Sequence, residues 1–140
     1  MSVRKRVLIL CTGNSARSQM AEGLLRHEGG AAFEVASAGT KPSHLRPEAI
    51  AALREIGIDI SDHRSKSLDE FAGQAFDYVI TVCDNARESC PVFPAATQRI
   101  HWSLDDPAAV VGPEEQRVAE FRRVRDQLRS LLRQFAQEKP

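Results

Sequence analysis

Cys11 and Arg17 enclose Thr12-Gly13-Asn14-Ser15-Ala16, and Ser18 follows directly. A loop of that length can wrap one tetrahedral oxyanion, with a sulfur beneath it and a guanidinium beside it. Loop N–H groups and the positive end of a following helix would hold the anion. Gly13 allows close approach of the backbone, and Asn14 tolerates a left-handed conformation better than most residues with a side chain. Arg17 presents a planar fork to two oxygens of the anion. The same positive surroundings favour a thiolate at Cys11, the nucleophilic form of the sulfur. Ser18 is placed either to donate a hydrogen bond to that sulfur or to cap the helix. The chain has two further cysteines, Cys83 and Cys90, with six residues between them. An odd number of cysteines with no export signal points to reactive thiols, not to a disulfide framework.

Such a loop needs a strand before it and a helix after it. Val7-Leu8-Ile9-Leu10 is a continuous apolar run, the pattern of a parallel strand covered on both faces. Ala16 to about His27 reads as a helix with Met20, Leu24 and His27 on one face, ended by Gly29-Gly30. Phe33 to Ala38 reads as a second strand. Pro47 opens a second helix lined by Ile50, Leu53 and Ile56 and stopped by Gly57. Ile58 to Ile60 reads as briefly extended, and Ser65 or Ser67 as the cap of a short helix through Leu68 and Phe71. Tyr78 to Val82 is β-branched and apolar, a third strand. Asp84 to Pro94 reads as a loop or short helix, Arg99 to Trp102 as a short strand, and Asp105-Asp106-Pro107 as a turn. From Pro113 to Gln137 runs a long amphipathic helix whose arginines, interleaved with acids, read as a solvated face. Strands alternate with helices, so the expected class is α/β, a three-layer sandwich with a four-stranded, mainly parallel sheet and helices on both faces. Cys11, Cys83 and the Asp105-Asp106 turn all follow predicted strands. The carboxyl ends of the strands can therefore bring them to one edge, where sites in such sheets lie.

The bulk numbers fit one catalytic domain over residues 1–140. The chain is 42% apolar and 27% charged, with a formal net charge of zero. That balance argues against nucleic acid or an anionic membrane surface as the main partner. No apolar run approaches the roughly 20 residues of a membrane helix, and the run after the basic start is too short for a signal peptide. A cytoplasmic monomer is the expectation. His27, His44, His63 and His101 lack metal-ligand spacing with the cysteines, so no metal is expected.

Cys11-x5-Arg17-Ser18 after a first strand resembles the phosphate-binding loop of the low-molecular-weight tyrosine phosphatases. Cys-Thr-Gly-Asn-Ser, with Arg17-Ser18-Gln19-Met20-Ala21-Glu22-Gly23, more particularly resembles the thioredoxin-coupled arsenate reductases built on that fold. The segment Cys-Asp-Asn-Ala-Arg-Glu-Ser-Cys-Pro, Cys83 to Pro91, is similar to that family's redox pair. His101-Trp102-x-x-Asp105-Asp106-Pro107 is similar to its general-acid loop, with Asp106 at the catalytic position. The resemblance implies arsenate as substrate and Thr12 to Ser18 as the oxyanion cradle. It implies Cys11 as nucleophile, Cys83 and then Cys90 as resolving thiols, and Asp106 as acid. No cofactor would be bound, and external thioredoxin would supply electrons. It further implies that the segment from Cys83 to about Pro94 rearranges on oxidation.

Two positions depart from the pattern. Ala16 stands where some members carry an additional loop cysteine. Some relatives bind potassium through residues matching Asn14, Glu22 and Ser37 with an acidic residue near position 66, where this chain has Lys66. An ammonium there could neutralise Glu22, so insensitivity to potassium is expected. Two rival readings need less of the sequence. A phosphatase for phosphotyrosine or small phosphate esters leaves the cysteine pair unexplained. A thiol sensor binding soft metals leaves Arg17 and Asp106 unexplained.

Overall fold

The computed structural model describes residues 4–71, 73–83 and 97–138. Four strands form one sheet: β1 (Lys5–Cys11), β2 (Phe33–Gly39), β3 (Tyr78–Thr81) and β4 (Gln98–His101). Their order is β2-β1-β3-β4, and every pair is parallel. Val7, Leu8, Ile9 and Leu10 are all 0% exposed. Successive strand residues point to opposite faces, so β1 is covered on both sides.

Three helices complete the described fold: α1 (Arg17–Gly29), α2 (Pro47–Arg54) and α3 (Glu114–Glu138). They contact one another pairwise. Helix α1 is buried from Ser18 through Leu25, much more than a one-sided helix would be. Gly23 explains how it fits: a Cβ there would lie 2.6 Å from Ile60 Cγ2 and 2.9 Å from Leu53 Cδ1. His27 is exposed and does not join Met20 and Leu24 in the core. On α2 the inner face is Ala49, Ala52 and Leu53, with Ile50 and Ile56 only half-buried. Small residues face inward because α1 and α3 come close. Helix α3 buries Phe121, Val124, Leu128, Leu132 and Phe135 at helical spacing. The Phe135 ring meets Phe33, Tyr78 and Trp102 at centroid distances of 5.4, 5.2 and 6.5 Å.

The arginine face of α3 pairs with acids across the fold. Arg122 and Arg125 both reach Glu55, holding its carboxyl well below the usual range, at about 2. Arg129 and Arg133 share Glu28. Arg125 departs from the solvated-face expectation. It is buried and donates to the Ala52 carbonyl at 2.9 Å, pinning α3 to the end of α2.

The segment 58–60 carries no strand, and the short helix after it is one 3-10 turn, Leu68–Phe71, with Ser67 accepting from the Asp69 N–H. Among the described residues no helix is long and apolar enough to cross a membrane. The expected loop or helix at Asp84 to Pro94, and Cys90 within it, lie outside the described residues.

The topology fixes where a site can form. The chain leaves β1 for β2 on one side and returns to β3 on the other. The carboxyl end of β1 is therefore the switch point at which ligands bind in open α/β sheets. Register sets Cys11 beside Gly39, Leu10 beside Thr81, and Thr81 beside His101 at that edge.

Candidate oxyanion-binding active site

The loop between β1 and α1 is held by its carbonyls. Thr40, Lys41, Ser43 and Arg46 donate their N–H groups to the carbonyls of Cys11, Thr12, Gly13 and Ser15 at 2.9–3.3 Å. Ser65 Oγ adds a 2.9 Å bond to the Gly13 carbonyl. The carbonyls thus face a neighbouring segment, which leaves the inner side of the loop to amides. Ala16 precedes α1 with no side-chain cap, and the first helical turn holds no acid. No side chain of the helix's own first turn neutralises its positive end, as an anion site requires. Among the described residues Asn14 is the one non-glycine residue with positive φ, 45°.

Hydrogen bonds around Cys11 branch at Asn14, one arm toward the sulfur and one toward Glu22. Asn14 Nδ2 donates to Ser18 Oγ at 2.8 Å and to Ser37 Oγ at 3.0 Å. Ser37 Oγ donates to Glu22 Oε1 at 2.6 Å. Ser18 Oγ lies 2.8 Å from Cys11 Sγ. Since the Ser18 oxygen accepts from Asn14, its own hydrogen is available to the sulfur. Ser18 therefore serves the nucleophile and not the helix cap.

Arg17 donates to the Leu104 carbonyl at 2.9 Å and lies 3.8 Å from Asp106 Oδ2. Its one guanidinium thus links the loop to the segment after β4. Asp106 accepts from the Ala108 N–H at 3.0 Å, capping the 3-10 turn Pro107–Ala109. Asp105 points elsewhere, pairing with Arg123 at 2.9 Å. Cys83 is buried, its sulfur 3.3 Å from the Thr12 hydroxyl. Cys11, Arg17, Cys83 and Asp106, far apart in sequence, meet at one edge.

Behind the loop lies the charged group around Glu22, itself 3% exposed. Arg26 is 3.0 Å away, His63 Nε2 3.5 Å and Lys66 Nζ 3.8 Å. Burial pushes both His63 and Lys66 below their ordinary pKa values, against the pull of Glu22. Among the described residues there is no group of His, Cys, Asp and Glu that could hold a metal ion.

Residues 6–139 match the sequence profile described as low molecular weight phosphotyrosine protein phosphatase. The chain belongs to this family. Within that phosphatase family its relatives include arsenate reductases. That of Bacillus subtilis (strain 168) is 44% identical over 133 residues, covering 95% of this chain and 96% of the relative. A solved arsenate reductase in the oxidized state superposes with a TM-score of 0.82 at 31% identity, over 96% of this chain and 98% of its own. A thioredoxin-dependent arsenate reductase of Corynebacterium glutamicum gives a TM-score of 0.73 at 31% identity, covering 99% of this chain and 65% of that one.

Several site residues escape a reading by motif. Of the two cap candidates Ser65 and Ser67, Ser67 takes the cap and Ser65 supports Gly13. Ser37 accepts from Asn14 across the fold, and His63, equally distant in sequence, reaches Asn14 through Gln19. Gly39 sits beside Cys11 because nothing larger fits: a Cβ would stand 2.5 Å from the Thr12 carbonyl oxygen and 2.9 Å from Asn14 N. Both are backbone atoms of the loop and cannot swing aside. Gly39→Ala is expected to cost about 1–3 kcal/mol of stability and to weaken oxyanion binding by about tenfold. Denaturant unfolding and a phosphate titration measure the two effects; unchanged values in both would refute the prediction.

Proposed function

We propose that this protein reduces arsenate to arsenite by a relay of three thiols and that thioredoxin returns it to the reduced state. The observation that carries the reading is Cys83 against the Thr12 hydroxyl. It supports a second thiol working at the oxyanion loop, for which phosphate ester hydrolysis has no use. The identity with arsenate reductases over nearly the whole chain supports the substrate.

Arsenate binds the amides of residues 12–18 and the Arg17 fork. The Cys11 thiolate, with the Ser18 hydrogen on its sulfur, attacks arsenic, and Asp106 protonates the departing oxygen, which leaves as water. The Cys83 thiolate, accepting from Thr12, then attacks the Cys11 sulfur. The sulfur–arsenic bond breaks with its electron pair left on arsenic. Arsenite departs, and a Cys11–Cys83 disulfide remains. Cys90 attacks Cys83, freeing Cys11 as thiolate and leaving Cys83–Cys90. Thioredoxin supplies the two electrons that reopen this last bond. The test is arsenate-dependent NADPH oxidation with thioredoxin and its reductase. Sustained oxidation supports the proposal. Absence of arsenate turnover alongside hydrolysis of p-nitrophenyl phosphate would instead make the chain a phosphatase, the second reading the family allows.

Lys66 bears on metal dependence. With Arg26 and Lys66 beside Glu22, an added monovalent cation meets a carboxylate that is already neutralised. Turnover is expected to be the same in sodium and potassium chloride at equal ionic strength. A gain specific to potassium would reject this.

A further inference from the structure

We infer that Gln19 is a positioning residue of the oxyanion loop, its carboxamide held in one orientation by His63. Gln19 lies on α1, fully buried, and touches neither sulfur. Its Nε2 faces three acceptors: the Arg64 carbonyl at 2.8 Å, Asn14 Oδ1 at 3.0 Å and the Asn14 carbonyl at 3.2 Å. A carbonyl oxygen in that place would meet three other oxygens, so the amide cannot turn over. Its Oε1 then accepts, and its partner is His63 Nδ1 at 3.1 Å. His63 therefore carries a hydrogen on Nδ1. Its Nε2 stands between two charged groups, 3.5 Å from Arg26 Nη1 and 3.5 Å from Glu22 Oε2.

The same logic continues inward. Asn14 Oδ1 accepts from Gln19 and from the Lys66 N–H at 3.0 Å, so Nδ2 must face Ser18 and Ser37. Ser18 accepts from Asn14 and turns its hydrogen to Cys11. From His63 through Gln19, Asn14 and Ser18, every donor in this chain points toward the nucleophile. Gln19 is the member that grips Asn14 twice, by backbone oxygen and side-chain oxygen together. Asn14 is also the residue with φ of 45°, a conformation that persists where its surroundings impose it. Gln19 thus sets both the turn that aims the loop amides and the hydrogen delivered to Cys11.

The inference rests on the oxyanion-loop reading but not on the thiol relay, so inorganic phosphate is a sufficient probe. Phosphate is titrated calorimetrically into the reduced full chain and into Gln19→Leu, His63→Leu and His63→Asn, with a thermal midpoint for each. Asparagine at 63 can keep a donor near the place of Nδ1; leucine cannot. Phosphate is expected to bind about tenfold more weakly to Gln19→Leu. His63→Leu is expected to weaken it as well, and His63→Asn to stay within about twofold of the parent. A folded Gln19→Leu with unchanged phosphate affinity overturns the inference, whatever its midpoint. Should Gln19→Leu fail to fold, the His63 pair decides: equal loss in both variants overturns it, and rescue by asparagine supports it. No phosphate binding by the parent chain would refute the loop reading and this inference together.

Discussion

Cys90→Ser is expected to release at most one arsenite per protein molecule and then stop, and Cys83→Ser to release none or at most one. The counting follows from electrons. Reduction of arsenate takes two, and two thiols become a disulfide to give them. Without Cys90 the reaction ends at Cys11–Cys83, with the nucleophile locked in the bond. Without Cys83 no thiol stands at the Thr12 hydroxyl to attack the adduct. Mass spectrometry of Cys90→Ser after one addition of arsenate would find the chain lighter by two hydrogens, with Cys11 and Cys83 joined on peptide mapping. Continued turnover at the parent rate in either variant would sink the relay. The Cys11 and Cys83 sulfurs already lie buried at one edge, and serine is close to cysteine in size; an unchanged thermal midpoint in each variant would separate loss of turnover from loss of the fold.

The parts of the site visible in the sequence are those that stand close together along the chain. Cys11 to Ser18 is a contiguous segment between an apolar run and a helix, and the structure sets it there. The strands were readable because parallel strands covered on both faces are apolar throughout. The helix faces were less so. Helix α1 lies between α2, α3 and the sheet, so Gln19 and Glu22 are buried as fully as Met20, and a one-sided pattern misassigned His27. On α2 the close neighbours select alanine, and hydrophobicity alone favoured Ile50 and Ile56. The supports of the loop were hidden for another reason. Ser37, Ser43, His63 and Ser65 reach it only through the β2 register and the path of the chain after α2. Polar residues at such distances carry no spacing signal. His63 in particular lacks any spacing to a partner, and only the fold sets its Nδ1 opposite Gln19.

Asp106→Asn is expected to slow the first chemical step by about 100-fold or more, the scale of a lost general acid, while leaving the fold in place. Asp106 has two separate duties. One oxygen accepts from the Ala108 N–H and caps the turn at Pro107–Ala109. The other faces Arg17 at 3.8 Å, on the side where the oxyanion would sit. Asparagine can perform the first duty through its carbonyl oxygen but has no proton to give the departing oxygen. Asp105→Asn is the matched control. Asp105 is largely exposed and bound to Arg123 on α3, so its loss removes a surface ion pair worth at most about 1 kcal/mol and no proton donor. Single-turnover rates of arsenate reduction in the two variants separate the duties. A large loss in Asp106→Asn with a near-parental rate in Asp105→Asn assigns the acid. Equal rates in both would place the proton source elsewhere, and water reaching the rim beside Arg17 would then be the remaining donor.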